Sequence, residues 1–406
     1  MPQLSTSVLS LAALASQHTY TLAAITPHRR PAAPRPAFLA NASYPVFWRV
    51  SGPNTSAFLP GGAVDVEQWG ITYGDLQPLC GGVGGLWPSL PHAENSSGAV
   101  NGGVPQAANL SLHLAMTRKN IEARLADKDW AGLAVFDFEA WTPVWEDNTT
   151  PAKTNWHSVR YQAYSIALVK AKHPSWSAAQ LEAQAKAEFE AAAMELFVAT
   201  LKLAASLRPK ALWGFYGMPG GDAAGQGGKD AAQMRPVWEA SGALYPSIYL
   251  SSPLNARQRV TSTVSLAVAT AEGIAAPGAK RLPVYPFAWE CYHNGSALLT
   301  KEDLAIDLTA PYNAGADGVI VWGYTGGNDG ITAQGGPQLE HYFEYIKENT
   351  GPLVQSFEKK VHACSARHCS AHGRCNTVSQ DGPPPASATC RCFDGWSGAD
   401  CSTRPS

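Results

Sequence analysis

The chain has 406 residues and a formal net charge of −2, and 45% of its residues are hydrophobic while 15% are charged. These values exclude a largely disordered chain, and they argue against a nucleic-acid-binding protein, which normally carries a strong positive excess. The length suits one large domain followed by a small module. The 13 Trp and 14 Tyr suit stacking on sugar rings, although a tryptophan-rich core would explain them equally well.

Residues 1–24 have the character of a secretory signal peptide. The run Val-Leu-Ser-Leu-Ala-Ala-Leu-Ala at positions 8–15 is short and apolar, and small residues follow it. It is too short to span a bilayer, and a disordered alanine-rich start is the alternative interpretation. The proline- and alanine-rich segment 25–43 is predicted to be a linker.

Six Asn-x-Ser/Thr sequons agree with a route through the secretory pathway. We therefore predict a secreted protein or one of a lysosome-like compartment, with no transmembrane segment and no lipid anchor. The predicted glycosylation sites are Asn41, Asn54, Asn95, Asn109, Asn148 and Asn294.

From residue 44 onward, short apolar runs alternate with helical patterns. The predicted strands are 46–50, 70–73, 133–137, 211–216, 247–250, 282–285 and 318–322. The predicted helices are 159–172, a long helix that starts at Ser177 with a capping box to Gln180, 256–272, 304–313 and 339–348. This alternation predicts an α/β fold, a distorted TIM-like (β/α) barrel over residues 44–356. A doubly wound open sheet is the alternative, but its Gly-x-Gly-x-x-Gly signature is missing.

The segment 132–141 (GLAVFDFEAW) is the strongest candidate for catalysis. Its apolar strand ends in two carboxylates, Asp137 and Glu139, which a period of two places on the same side. The carboxyl end of a barrel strand is where catalytic groups lie. Apolar neighbours raise the pKa of a carboxylic acid, so a glutamic acid here could protonate a leaving glycosidic oxygen. Without the strand and the aromatics, Asp-x-Glu would more often be a pair of solvated acids.

Six of the eight cysteines lie near the C-terminus with the spacing C-x4-C-x5-C-x14-C-x-C-x8-C. A segment of this size needs covalent crosslinks, so a disulfide-rich module over residues 360–403 is predicted; a zinc site is the lesser alternative. The spacing alone does not choose among the possible pairings. Cys80 and Cys291 lie in the large domain and either pair or stay free.

The segment 132–145 resembles the strand, Asp-x-Glu, Trp and Pro segment of the hyaluronidase family, and the tail resembles an EGF-like module. The tail match is carried by 390–398 (CRCFDGWSG). Further motifs match the family in the same order: 101–106 (NGGVPQ), 185–190 (AKAEFE), 207–209 (LRP), 212–216 (LWGFY), 244–249 (LYPSIY), 259–260 (RV), 282–286 (LPVYP) and 318–322 (GVIVW). The resemblance covers residues 44–403.

The resemblance implies a glycoside hydrolase of the hyaluronoglucosaminidase type. Such an enzyme cleaves β-1,4 bonds beside N-acetylhexosamines in hyaluronan or chondroitin-type glycosaminoglycans, with retention, without metal or cofactor. Glu139 would be the acid and base, while Asp137 would hold the substrate's acetamido group, whose oxygen replaces an enzyme nucleophile. The family's site tyrosines match Tyr216 and Tyr249. The predicted substrate-binding residues are Tyr73, Trp141 and Trp322.

The EGF-like resemblance implies the pairs Cys364–Cys375, Cys369–Cys390 and Cys392–Cys401, and we expect Cys80 and Cys291 to bridge across the active-site face. The partner of the EGF-like module is unknown.

One departure from the family pattern concerns substrate choice. The family usually has arginine after the tryptophan of Glu-x-Trp-Arg-Pro, where this chain has Thr142. Arginine is the natural partner of a uronate carboxylate. Two alternatives therefore stand beside a glycosaminoglycan hydrolase. One is a hydrolase of another N-acetylated polysaccharide such as chitin, and the other is a non-catalytic glycan-binding protein on the same fold.

Overall fold

The computed structural model describes residues 44–52, 55–80, 83–90, 98–148, 159–220, 232–293, 297–325, 338–379 and 387–404. All of them belong to one compact unit that spans Ala32–Ser406. The predicted signal peptide and linker lie outside the described residues, as do the sequons at Asn41, Asn54, Asn95 and Asn294.

Two parallel sheets form the centre of the large domain. One has the strand order β2-β1-β7-β6 and the other β3-β4-β5, while β8 and β9 form a separate antiparallel pair near the C-terminus. The strands are β1 (Val46–Ser51), β2 (Ile71–Tyr73), β3 (Leu76–Cys80), β4 (Leu133–Asp137), β5 (Leu212–Phe215), β6 (Phe287–Trp289), β7 (Val319–Tyr324), β8 (Gly373–Cys375) and β9 (Cys390–Cys392).

Isolated parallel bridges connect the two sheets. They join Tyr216 to Tyr245, Leu244 to Val284 and Ser247 to Phe287, so the segment 244–247 lies between β5 and β6. The array runs from β3 through β5, β6 and β7 to β2, and its strand pairs are parallel, whereas the isolated bridge between Met218 and Tyr245 is antiparallel. The predicted α/β fold class is confirmed.

The predicted strands 247–250 and 282–285 are wrong, because these segments make only isolated bridges, and the strand in this region is β6. Pro283 lies inside the second segment, and Pro246 and Pro286 flank the two segments; proline has no N–H to donate to a ladder. Strand β3 was not predicted, since Pro78 and two glycines after Cys80 obscure its short apolar pattern.

Eight α-helices occur in the described part of the chain, and none is both long and apolar enough to cross a membrane. They are α1 (Leu110–Arg124), α2 (Val159–Lys172), α3 (Ala178–Leu207), α4 (Arg235–Ala240), α5 (Ala256–Ile274), α6 (Lys301–Asn313), α7 (Leu339–Tyr345) and α8 (Gly351–His368). A π-helical turn, Ile346–Thr350, joins α7 to α8.

Local sequence patterns predicted the start of helix α3 but not helix α1. The predicted capping box forms at α3, where the Ser177 side chain accepts from the Gln180 N–H and the Gln180 side chain accepts from the Ser177 N–H. Helix α1 was not predicted, because the residues it buries are His113, Thr117 and Ile121, and two polar side chains hide the apolar period.

The C-terminal module contains the disulfides Cys364–Cys375, Cys369–Cys390 and Cys392–Cys401, the three pairs that the EGF-like resemblance implies. The predicted border between barrel and module, at residues 356–360, falls inside α8, which carries Cys364. The first disulfide therefore ties the module to a helix that begins in the large domain.

Polar contacts attach the module to the large domain. Asn313 at the end of α6 exchanges two hydrogen bonds with the backbone of Val378, at 3.1 and 2.9 Å. The buried carboxylate of Asp317 pairs with Arg281 at 2.9 Å and with Arg391 of the module. A buried charge needs an oppositely charged partner. For Asp317 the large domain supplies Arg281 and the module supplies Arg391.

Candidate active site

Asp137 and Glu139 lie where β4 ends, and both are half-buried, whereas Phe138 between them is only 6% exposed. This alternation follows from the extended backbone, in which successive side chains point to opposite faces. The strand register places Asp137 opposite Cys80, the last residue of β3. The two carboxylates therefore lie on the face away from the Phe138 ring, at the carboxyl edge of the parallel array.

Tyr216 and Tyr249 face these carboxylates. The Tyr216 hydroxyl donates to Ser247 Oγ at 3.3 Å, and the Tyr216 and Tyr249 rings lie 6.1 Å apart between centroids. Burial, with smaller contributions from the charges of Glu139 and Asp137, raises the pKa of both tyrosines. Both hydroxyls therefore remain protonated and can donate hydrogen bonds to a substrate oxygen.

Three aromatic side chains line the site beside the tyrosine pair, and we call Tyr249, Trp289 and Trp322 the open aromatic wall. Trp322 stacks on Tyr249 at 6.0 Å between centroids, and Trp289 lies 5.7 Å from Trp322 in an edge-on arrangement. The exposed His293 ring contacts Tyr249 at 5.7 Å. Tyr249 and Trp289 are only 5% and 6% exposed, so the partly exposed indole of Trp322 offers the flat apolar face on which a sugar ring can stack.

Like Asp307 Oδ1 and several other buried polar atoms, one carboxylate oxygen of Asp137, its Oδ1, has no hydrogen-bond partner among the described residues. A buried acceptor without a donor is costly, so it marks a place where a ligand N–H can bind. The neighbouring Cys80 is exposed as a residue, but its sulfur is partly desolvated. This desolvation, and then the charge of the Asp137 carboxylate and a hydrogen bond from the thiol to it, raise the pKa of Cys80 to about 12.

Trp141 does not reach the site, which corrects its predicted role in substrate binding. Its side chain is fully buried, and its Nε1 donates to the Pro88 carbonyl at 2.7 Å. It packs 4.9 Å from Phe138, which stacks on Trp87 at 4.5 Å, and 5.7 Å from Phe197. We call Trp87, Phe138, Trp141 and Phe197 the closed aromatic cluster. A fully buried indole cannot contact a polymer.

Cys80 and Cys291 are free thiols, so the bridge predicted between them does not form. Cys80 is exposed beside Asp137, whereas Cys291 is buried after β6. Tyr73 ends β2 at the same edge of the array and is half-buried.

The sequon at Asn148 is unsuited to glycosylation, which corrects a second prediction. Asn148 is fully buried, and its Nδ2 donates to the carbonyls of Thr142 and Val144 at 3.1 and 2.8 Å. The nitrogen that would carry a glycan is thus enclosed. Asn109 is exposed and caps α1 through its Oδ1, which leaves its Nδ2 available.

The sequence did not single out Trp289, Arg49 or Ser247 as site residues. The predicted strand at 282–285 placed the end of β6 too early, which hid Trp289. Arg49 had a visible signal, since an arginine inside the apolar run of β1 is unusual. Arg259 donates to the Tyr249 carbonyl at 3.0 Å and so supports that tyrosine from behind.

No three His, Cys, Asp or Glu side chains of the described residues are grouped to share a metal ion. The family model for hyaluronidases, glycoside hydrolase family 56, matches residues 85–383, which include the carboxylate pair, both tyrosines and the open aromatic wall. The chain belongs to the hyaluronidase family. The resemblance predicted from the sequence is thereby confirmed.

Members of the family with known names or structures cover most of the chain. Hyaluronidase-1 of Sus scrofa is 36% identical over 301 residues, 71% of this chain and 66% of that protein. Chondroitin hydrolase of Caenorhabditis elegans is 28% identical over 367 residues, 84% of this chain and 77% of that protein. Bee venom hyaluronidase, in a crystal structure with a hyaluronic acid tetramer, matches with a TM-score of 0.65 at 27% identity, covering 77% of this chain and 98% of that one.

The match covers just under two thirds of some mammalian relatives. It spans 64 to 66% of the length of hyaluronidase-1 from Sus scrofa, Bos taurus and Homo sapiens.

Proposed function

We propose that this member of the hyaluronidase family hydrolyses β-1,4 bonds beside N-acetylhexosamine units in hyaluronan or chondroitin-type glycosaminoglycans. The observation that carries the proposal is the Asp137–Glu139 pair facing two protonated tyrosines beside an aromatic wall. The names of the relatives support the substrate class, since they include a chondroitin hydrolase and a hyaluronidase bound to a hyaluronic acid tetramer.

Glu139 is the proton donor and acceptor in this proposal. Protonated Glu139 gives its proton to the glycosidic oxygen, while the substrate's acetamido oxygen attacks the anomeric carbon and the glycosidic bond breaks. Ionised Glu139 then takes a proton from water, which restores its acid form. The water oxygen at the same time displaces the acetamido oxygen from the anomeric carbon. Two displacements at one carbon retain its configuration.

Asp137 orients the acetamido group. Its buried and unpartnered Oδ1 can accept the acetamide N–H, which turns the acetamide oxygen towards the anomeric carbon. Tyr216 and Tyr249 can donate to the acetamide carbonyl or to the departing sugar. Two carboxylates on one strand lie on the same side of the bond, so a direct attack by the second carboxylate is not expected.

Trp322 forms the floor on which the sugar before the cleaved bond stacks, and the buried Trp289 packs edge-on against it. Trp322 is only partly buried in the hydrophobic core. Tyr73, at the end of β2, would bind a neighbouring sugar of the chain.

The protein is proposed to act in a secreted or lysosome-like compartment. Three disulfides support passage through an oxidising compartment. In this proposal residues 1–24 are a signal peptide, 25–43 a linker, 44–356 the catalytic domain and 360–403 the EGF-like module, with Asn109 a site for glycosylation.

The test is a size assay on hyaluronan, chondroitin and chitin oligosaccharides with three proteins. The wild type should shorten the two glycosaminoglycans, and Glu139→Gln should lose at least about a thousandfold in rate. Glu146→Gln is the matched control, because Glu146 is an exposed acid seven positions on that pairs with Lys186.

Each unexpected result has one meaning. A wild type that binds a polymer but shortens none is a glycan-binding protein, and the enzymatic proposal is wrong. Cleavage of chitin alone would assign the other N-acetylated substrate. Full activity of Glu139→Gln would remove Glu139 from its role.

A further inference from the structure

Arg49 lies on the face of β1 that is directed to the inside of the parallel array. Trp48 packs against Phe58 on the helix side, at 5.6 Å, whereas Phe47 contacts Tyr285, a residue of the β6 side of the array, at 5.8 Å. Side chains alternate along a strand, so Arg49 shares the face of Phe47, one pleat nearer to the carboxyl end. The arginine therefore lies one layer above Phe47, in the layer of the site.

The strand registers place Arg49 in the layer of the catalytic groups. Arg49 is aligned with Trp322 on β7, and Trp322 is aligned with Trp289 on β6. On its other side Arg49 is close enough to the Cys80 thiol that its positive charge opposes the rise of that thiol's pKa. Cys80 in turn is aligned with Asp137. Arg49 thus lies between the open aromatic wall and the Asp137 side of the site.

Arg49 is half-buried, and its side chain makes no ion pair or hydrogen bond within the described part of the chain. By comparison, Arg281 and Arg391 share Asp317, and Arg259 donates to the Tyr249 carbonyl. A partly desolvated guanidinium gains most from a carboxylate that it can bind with two parallel hydrogen bonds. The chain therefore presents a cation without an anion inside a site for a polymer.

Position 142 cannot supply the missing uronate partner. Thr142 is 1% exposed, its N–H donates to Asn148 Oδ1 at 3.0 Å and its hydroxyl to the Val144 carbonyl at 3.3 Å. Its side chain is used within its own loop and does not face the site. Because the chain has a net charge of −2, its overall charge does not attract a polyanion. Binding a polyanion therefore needs a positive side chain inside the site itself.

We propose that Arg49 binds the uronate carboxylate of the substrate and makes the protein prefer uronate-containing polymers to neutral N-acetylated ones such as chitin. This inference rests on the proposed function of the same site. It assigns the role of the arginine absent at position 142 to a different strand, β1.

Binding measurements in a Glu139→Gln background separate charge recognition from turnover. The ligands are hyaluronan and chondroitin oligosaccharides, the hyaluronan oligosaccharides with their carboxyl groups reduced to alcohols, and N-acetylglucosamine oligomers. Adding Arg49→Gln should weaken binding of native hyaluronan by about 10- to 100-fold, the range of a charge-assisted bidentate contact. Binding of the two neutral ligands should change less than about twofold, and Arg49→Lys should restore part of the loss.

The controls distinguish three failures. Arg118→Gln removes an equal charge from the exposed face of α1 and should leave all affinities unchanged. Equal weakening of native and reduced ligands, or no weakening, would overturn the role of Arg49. Absence of any binding of native hyaluronan or chondroitin to the Glu139→Gln protein would overturn the proposed function instead. Thermal unfolding midpoints of the variants show whether a loss comes from misfolding.

Discussion

The open aromatic wall and the closed aromatic cluster are built from the same residue types and differ in what surrounds them. Trp322 and Tyr249 stack in the layer of the Asp137 and Glu139 carboxylates, beside the exposed His293 ring. Trp141 and Phe138 pack under helix α3 with almost no exposed surface. The five-residue segment from Asp137 to Trp141 borders both regions. Asp137 and Glu139 lie in the layer of the open wall, whereas Phe138, on the opposite face of the extended backbone, and Trp141, beyond the end of β4, belong to the closed cluster.

This difference shows why tryptophans near a carboxylate pair are poor predictors of substrate contact. The closed cluster fixes the backbone from which Asp137 and Glu139 project, and its burial makes it a source of stability. In the open wall, Trp322 is partly exposed and can contact a ligand, so its stacking free energy contributes to binding, while the buried Tyr249 and Trp289 support it. Substitutions in the two regions should therefore change different measured quantities.

The largest expected effect is that of Trp141→Ala on stability. Removing a fully buried indole, with its hydrogen bond to Pro88, should lower the free energy of unfolding by about 3–5 kcal/mol. Urea unfolding followed by fluorescence measures this change. A loss below about 1 kcal/mol would mean that the cluster is not the rigid support described here.

Trp322→Ala should change substrate binding more than stability. We expect KM for hyaluronan to rise about 10- to 100-fold through lost stacking, while the free energy of unfolding falls by less than half of the Trp141→Ala loss. Steady-state kinetics and the same urea titration test both parts. An unchanged KM would remove Trp322 from the substrate floor.

The free energy of unfolding is expected to depend on pH through two buried acids next to the open aromatic wall, Glu290 and Asp307. Burial raises the pKa of Glu290 to about 7, although Thr350 and Tyr342 donate to it. The unfolded chain, with a pKa near 4.5, loses this proton first as pH rises. Protonated Glu290 therefore contributes its full share to the free energy of unfolding below pH 4.5. This share is lost as the pH rises through 7, by about 1.4 kcal/mol for each unit between the unfolded and the folded pKa.

Glu290→Gln should flatten the fall in unfolding free energy between pH 4.5 and 7 that the wild type shows. Asp307→Asn should act in the same direction, since burial raises the pKa of Asp307 well above its usual value. Glu344→Gln, an exposed acid of α7, is the control and should leave the slope intact. If the free energy of unfolding of both the wild type and Glu344→Gln rose between pH 4.5 and 7, the raised pKa assigned to Glu290 would be contradicted.

The smallest expected effect concerns Cys80. With its pKa raised to about 12, the alkylation rate by iodoacetamide should rise about tenfold per pH unit from 7 to 10, without the plateau near pH 9 of an ordinary thiol. Mass spectrometry of Cys80 peptides measures the rate. Cys80→Ser should keep turnover within about threefold, since a hydroxyl can still donate to Asp137.

Much of the site could be predicted because its groups follow strands with clear apolar patterns. Asp137 and Glu139 end the most uniformly apolar strand, and Tyr216 follows a second one. The roles of Trp141 and Asn148 were missed, since burial on the helix side depends on distant α3 residues and on loop hydrogen bonds. Arg49 could be placed only with the parallel register, which a single sequence does not contain.

Proton NMR of the first product formed from a hyaluronan oligosaccharide tests the central claim most directly. The account assigns bond cleavage to Glu139 and the substrate's own acetamide, with Asp137 as the orienting group. It predicts that the new reducing end appears first as the β-anomer and then mutarotates, and that Asp137→Asn slows its appearance strongly. Initial release of the α-anomer would show a single displacement by water and would contradict the account.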